Sequence, residues 1–379
     1  MNLYKELAAA KKYQMLLQNI PQRLIDKCLL ELGDALIKRQ NEILTANRLD
    51  LAAISALDQI YDRVQLNPSK IKDIAKSIVA VSNLKSCVGK ILEEKKLSNK
   101  LLLQKMSIPF GLVAVIYEAR PNVTIDVFSL CFKTKNIAIL KCGSEAQKSS
   151  EAFVKIIHET LQKNKFPTQL CLLLPPDRGL TAELLKAEEF IDVLIPRGGA
   201  GLIKWVREEA CVPIIETGAG VVHVYFDEDG DTNMGKNIVF NAKTRRPAVC
   251  NSLDTLIIHS AKLKALPELT EKLGEAEVQI FADKRSYSIL AEKYPGDLLK
   301  KAQGSDFGCE FLSLHMAIKT VDSLEEAVEH ITRYGSKHSE SIITNNALRA
   351  KYFLQNVDAA AVYHNASTAF TDGGEFGMG

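Results

Sequence analysis

The chain is an α/β protein built from two parallel-sheet domains, and three features of its sequence predict this. Apolar helical periodicity fills the first 95 or so residues, then gives way near residue 108 to alternating strand and helix patterns. A second alternating series follows Cys250, and the polar, turn-rich run Asp227-Glu-Asp-Gly-Asp231 separates the two. At 379 residues the chain also exceeds what one hydrophobic core organises, so two or more domains are expected.

The elements follow in order. Leu24, Ile25, Cys28, Leu29, Leu32 and Leu36, then Ile43, Leu44 and Leu51, recur at helical spacing; Pro21 marks an early break and Asn67-Pro-Ser a helix start. This part reads as an amphipathic helical layer on a neighbouring sheet. Strand-like runs come next at Leu112–Ile116, Ile137–Leu140, Leu170–Leu174, Val193–Ile195 and Pro213–Ile215, with helical patterns at Ser149–Leu161, Thr181–Glu188 and Leu202–Glu209. The second series has strands at Leu256–Ile258, Val278–Phe281, Met316–Val321, Ser341–Ile343 and Ala359–Tyr363. Its helices are Leu263–Leu273, Ser323–Arg333 and Asn346–Asn356. Strands that are apolar throughout, separated by helices, are the mark of a parallel sheet covered on both faces.

Forty-eight basic and 46 acidic residues leave a net charge of +2, which argues against nucleic-acid or membrane-surface binding by bulk charge. No apolar run approaches the roughly 20 residues that span a bilayer, and no secretory leader pattern is present, so a cytoplasmic protein is expected. Eight scattered cysteines without a C-x-x-C pair suit free thiols in a reducing compartment. Seven dispersed histidines without an H-x-x-x-H pair predict no metal site.

Four segments could carry chemistry. Cys250 follows Lys243, Arg245, Arg246 and Pro247; a thiolate attacks carbonyl carbon where a thiol hardly does, and upstream cations favour the thiolate. A small buried hydrophobe is the alternative reading of any cysteine. Pro109–Asp126 is a strand leading through Arg120-Pro-Asn122 into a helix, at the edge where open α/β sheets bind ligands. Asn122 there is either an oxyanion donor or a helix cap. Ile195-Pro-Arg-Gly198-Gly199 ends a strand and opens a helix, so its N–H groups could cradle a phosphate, or simply form a tight turn. Glu216, at a strand end before a glycine turn, is a general base or a solvated rim residue. A G-x-G-x-x-G fingerprint is absent.

Together these pieces resemble the gamma-glutamyl phosphate reductases, a family of the aldehyde dehydrogenase superfamily. The likeness rests on Val115-Ile-Tyr-Glu-Ala-Arg-Pro-Asn-Val-Thr124, Ile195-Pro-Arg-Gly-Gly199, Ile215-Glu-Thr-Gly-Ala-Gly220, Asn241-Ala-Lys-Thr244 and Val249-Cys-Asn251. It continues through Glu329-His-Ile331, Arg333-Tyr-Gly335, Ala360-Ala-Val-Tyr363, Asn365-Ala-Ser-Thr368 and Phe370-Thr-Asp-Gly-Gly-Glu-Phe-Gly377. The resemblance implies an aldehyde dehydrogenase-like fold: two Rossmann-like domains plus a small oligomerisation element. The expected parts are a helical stretch of the cofactor domain at 1–96, an oligomerisation strand at 97–107 and an NADP-binding domain at 108–228. A catalytic domain at 229–365 and a segment at 366–379 returning to the cofactor domain complete the division.

It further implies NADPH-dependent reduction of L-glutamyl 5-phosphate to L-glutamate 5-semialdehyde in proline biosynthesis, with Cys250 as nucleophile and Asn122 as oxyanion donor. NADP(H) would meet Lys141, Ser144, Glu145, Gly198, Gly199, Glu216 and Glu310. The anionic substrate would meet Arg120, Lys243, Arg245, Arg246, Ser367 and Thr368. Channelling from a glutamate 5-kinase and a homo-oligomeric state come with the family. Ser367-Thr-Ala369-Phe stands where Ser-Thr-Arg-Phe is expected, Ala248 replaces a glycine and Asp254 a glutamate, and the family continues beyond Gly379. Two other readings are a hydrolytic NAD(P)-dependent aldehyde dehydrogenase, with Glu216 as base, and a non-catalytic binding form.

Overall fold

The computed structural model describes residues 2–55, 60–216 and 218–377; Thr217 of the glycine-turn motif and Met378 and Gly379 of the C-terminal segment lie outside them. Two compact units result, Met1–Thr217 and Gly218–Gly379.

In the first unit, helix Gln22–Lys38 turns Ile25, Leu29, Leu32 and Leu36 inward at the predicted spacing while Leu24 stays exposed, and helix Pro68–Asn83, opening at the predicted start, buries Ile71 and Ile78. They share one core with the strands β3 (Leu112–Tyr117), β4 (Ile137–Cys142), β5 (Cys171–Leu174) and β6 (Val193–Arg197), which follow a hairpin of β1 (Ile91–Lys96) and β2 (Leu102–Met106). Strands β3–β6 form a parallel sheet in the order β5-β4-β3-β6. Helix Gln147–Lys163 crosses from β4 to β5, and the buried Asp50 caps it, accepting from the amides of Lys148 and Ser149 at 2.9 and 2.8 Å.

The second unit carries β7 (His223–Phe226), β8 (Thr255–His259), β9 (Gln279–Ala282), β10 (Leu299–Lys301), β11 (His315–Val321), β12 (Ser339–Ile343) and β13 (Ala361–His364). All seven are parallel, in the order β10-β9-β11-β8-β7-β12-β13. Buried Arg349–Asp227 bonds, at 2.6–2.9 Å, lock helix Ala347–Asn356 to the end of β7.

Several expected boundaries move. The division between units falls at 217/218 rather than 228/229, because β7 hydrogen-bonds between β8 and β12 and so belongs to the second sheet. Residues 366–377 group with the second unit rather than the first, held there by hydrogen bonds from Arg245 and Asn251. The single strand expected at 97–107 is one arm of the β1–β2 hairpin, whose arms are exposed along their whole length. Pro213–Ile215 does not become a strand; Ile214 makes an isolated bridge to Leu194, and Pro213 has no N–H to extend it.

Candidate active site

In a parallel sheet every strand points the same way, so the segments that leave the strands gather at one edge and those that enter them at the other. The candidate residues of the first unit lie at its exit edge. Ala119, just beyond β3, sits at φ 50°, and its amide donates to Glu145 Oε1 at 2.6 Å. Lys141 is the penultimate residue of β4, with exposed Ser144 and half-buried Glu145 beyond the strand. Beyond β6, the Gly199 amide opens helix Ala200–Glu209 and donates to Glu118 Oε2 at 2.9 Å. A methyl group on Gly198 would lie 2.4 Å from that same oxygen. The turn is thus shaped around an anion, and a carboxylate takes that place. Glu118 sits inside the Tyr-Glu-Ala-Arg-Pro-Asn run, where no periodicity or spacing marks it as an anchor for the glycine turn.

Asn122 starts helix Val123–Lys133 without capping it; its Nδ2 donates to Asp126 Oδ2 at 2.9 Å, and burial pushes the Asp126 carboxyl up. The cap reading of Asn122 therefore fails. Arg120 is exposed. Glu216 is exposed and accepts from Arg207 Nε at 2.9 Å.

In the second unit Gly220, Cys250 and Glu310 come just before β7, β8 and β11, at the entry edge, and Ser367 and Thr368 follow β13 on a segment that returns to Asn251. Cys250 is exposed, and the following Ser252, Leu253 and Asp254 are buried. Their burial is secured from several sides. Lys243 is fully buried at the end of helix Thr232–Thr244, and its ammonium donates to the Leu253 carbonyl at 2.8 Å. The carboxylate of Asp254 accepts from Val222 N at 3.2 Å and Phe311 N at 3.0 Å. Burial pushes Asp254 up to about 7 and Lys243 down to about 8, each opposed by the other's charge. Glu310 Oε1 accepts from the Gly220 amide at 3.0 Å, and Gly220 lies against the cysteine itself. A methyl group on Gly220 would sit 1.9 Å from the Cys250 carbonyl oxygen. Arg245 and Arg246 are exposed.

Two expectations shift here. Lys243 does not face solvent, because it lies on the same helical face as Val239 and Ala242, so it supports the cysteine loop rather than meeting a substrate. Thr368 is fully buried and its hydroxyl donates to the Asn251 carbonyl at 2.9 Å; the Ser367 hydroxyl accepts from Ala369 N. The His223 ring, also at this edge, is fully buried with its Nδ1 3.0 Å from Glu340 Oε2, and burial raises the Glu340 carboxyl.

No model of a protein family matches the chain. A glyceraldehyde-3-phosphate dehydrogenase from Methanocaldococcus jannaschii, solved in complex with NADP, superposes with a TM-score of 0.69 at 14% identity, covering 98% of this chain and 86% of that one. A probable aldehyde dehydrogenase from Listeria monocytogenes matches with a TM-score of 0.70 at 18% identity, over 98% and 88%. The chain therefore has the fold of the aldehyde dehydrogenases. At the level of sequence, the gamma-glutamyl phosphate reductase of Pelodictyon phaeoclathratiforme is 48% identical over 375 residues, 99% of this chain and 90% of the relative. The crystal structure of the same enzyme from Thermotoga maritima, 35% identical, covers 100% of this chain and 91% of its own with a TM-score of 0.93. The chain belongs to the gamma-glutamyl phosphate reductase family, and is an oxidoreductase.

Proposed function

We propose that the protein reduces L-glutamyl 5-phosphate to L-glutamate 5-semialdehyde with NADPH and release of phosphate, in the cytoplasmic route to proline. The observation that carries the reading is Cys250, exposed at the entry edge of the second sheet on a loop whose following residues are locked into the core.

The Cys250 sulfur attacks the acyl carbon, forming the C–S bond, and the carbonyl π electrons move onto oxygen. The Asn122 amide supports that oxyanion. Its collapse breaks the bond to the phosphate oxygen, phosphate leaves with the electron pair, and a thioester on Cys250 remains. The dinucleotide, when bound, supplies the hydride that brings the thioester carbon to the aldehyde level. Breaking the C–S bond then frees the aldehyde and regenerates Cys250. Arg245, Arg246 and Arg120 supply exposed positive charge for the phosphate and carboxylate of the substrate.

The exit edge of the first sheet fits the dinucleotide. It offers the Lys141 cation, the exposed Ser144, the half-buried Glu145, and a helix-opening glycine amide already satisfied by an anion. Glu310 bonds Gly220 and would share its remaining oxygen with a ribose hydroxyl. Glu216 pairs with Arg207 at 2.9 Å, and an acyl phosphate needs phosphate to leave rather than water to attack. The β1–β2 hairpin, with Ile91, Leu92, Leu102, Leu103 and Met106 exposed, suits edge pairing with a second copy. An acyl phosphate hydrolyses readily, so delivery by the kinase that makes it would protect it.

The test is phosphate-dependent reduction of NADP by glutamate 5-semialdehyde. Cys250→Ser should abolish turnover while NADPH still binds; near-normal turnover in that variant, or phosphate-independent acid formation by the native protein, would refute the reading.

A further inference from the structure

We infer that Asn251 is a positioning residue for Cys250, acting through a clasp with the strap Ala366–Thr371; this rests on the proposed role of Cys250 as nucleophile. A nucleophile on an exposed loop must be held in place by its neighbours, because a displacement of about 1 Å costs roughly a hundredfold in rate. The chain after Cys250 dives into the core, so Asn251 is the residue where the loop turns from exposed to buried.

One segment holds Asn251 by both its side chain and its main chain. Its Nδ2 donates to the Thr371 carbonyl at 3.0 Å and the Ala369 carbonyl at 3.4 Å. Its main-chain carbonyl accepts from the Thr368 hydroxyl at 2.9 Å. The strap that provides these groups is itself fixed to the sheet. Thr371 Oγ1 bonds the Ser339 hydroxyl of β12 at 2.7 Å and the Tyr363 hydroxyl of β13 at 2.8 Å. The Ser341 hydroxyl donates to the Ala366 carbonyl at 2.7 Å, and Arg245 Nη1 reaches the Ala369 carbonyl at 3.2 Å from the other side of the cysteine loop. A rigid sheet, a bolted strap and the residue next to Cys250 therefore form one continuous hydrogen-bonded path.

The side-chain chemistry is specific. Two carbonyl oxygens face one side chain, so the position requires a donor, and an amide supplies two N–H groups where a carboxylate of the same shape supplies none. Asn251→Asp keeps the volume and would set a carboxylate against two carbonyls. Thr368→Val keeps the shape and removes the hydroxyl donor, and Thr368→Ser restores it.

The experiment measures kcat and KM in the phosphate-dependent NADP reduction, together with the rate at which iodoacetamide labels each cysteine, read by mass spectrometry. Exposed Cys87 and Cys211 are internal references for labelling, and buried Cys131 and Cys171 report any opening of the fold. Asn251→Asp and Thr368→Val should lower kcat roughly tenfold to a hundredfold with KM for NADP within about twofold. They should also change the Cys250 labelling rate severalfold, while the reference and buried cysteines label as in the native protein, and Thr368→Ser should behave as native. Native kcat and Cys250 labelling in Asn251→Asp would overturn the inference. So would losses of activity that appear only alongside faster labelling of Cys131 and Cys171, since that pattern is general destabilisation. Failure of the nucleophile reading is seen separately, as an active Cys250→Ser; an inactive Cys250→Ser with a native-like Asn251→Asp rejects the clasp alone.

Discussion

Gly220→Ala is the sharpest perturbation of this site. The new methyl group would lie 1.9 Å from the Cys250 carbonyl oxygen, 2.7 Å from its carbonyl carbon and 2.8 Å from its Cα. All three are backbone atoms, so no side-chain rotation relieves the clash. Ordinary contact begins near 3.4 Å, so the glycine turn and the cysteine loop must separate by about 1.5 Å. The turn is pinned by Glu310, and the loop by Lys243 and the Asp254 carboxylate, so neither yields freely. Overpacking of this kind costs about 1–3 kcal/mol of stability. The larger effect is on rate: a misplacement of this size costs on the order of a hundredfold in kcat, or about 3 kcal/mol in the barrier. Initial rates of phosphate-dependent NADP reduction, with urea unfolding of the same samples, measure both. A Gly220→Ala protein with kcat within twofold of native and an unchanged unfolding midpoint would refute the claim that the turn positions Cys250.

Three further outcomes are expected. Gly198→Ala places a methyl group 2.4 Å from Glu118 Oε2 and 2.7 Å from Leu202 Cδ2, both ends of flexible side chains; the fold should survive, and the NADPH Kd measured by fluorescence titration should rise severalfold. Asp227→Ala removes the buried carboxylate that Arg349 and the Thr344 hydroxyl bond, leaves the guanidinium paired with exposed Glu228, and should cost about 1.5–3 kcal/mol in urea unfolding. Burial, aided by His223, Lys319 and Arg333, holds His330 down at about 3, below its ordinary 6.5. The unfolded chain then binds the extra proton, so this contribution to stability is full above pH 6.5 and is lost as pH falls toward 3. At 1.36 kcal/mol per pK unit it amounts to at most about 5 kcal/mol. His330→Phe, packed among Phe307 and Tyr334, should flatten the acid limb of stability measured by urea midpoints from pH 7 to 4; an unchanged slope would count against it.

Most buried strands are legible because they announce themselves twice, by β-branched composition and by length; β7, buried at every position but only four residues long, falls outside the expected runs. Leu112–Tyr117, which extends the expected run by one residue, is buried at every position. Elements that lack one of those signals do not stand out in the sequence. Leu299–Lys301 is three residues long with two exposed, and no apolar run marks it. The β1–β2 hairpin mixes Glu and Lys with leucines on fully exposed arms, so no burial pattern marked its turn. At the site, the cations before Cys250 were legible as a group but not individually. Lys243 shares a helical face with Val239 and Ala242, a signal that periodicity contains and that predicts its burial.

The sequence by itself determined the class of fold, the family and the cysteine around which the chemistry is read, because these depend on local patterns and short motifs. Only the tertiary structure decided which polar groups face outward and which hold the backbone in place. Lys243, Asp254, Asn251 and Thr368 make their contacts with residues up to 120 positions away, across strands that are adjacent only once the sheet is assembled. Hydrogen bonds join donors and acceptors in space, and a buried polar group must find its partner wherever the fold places one.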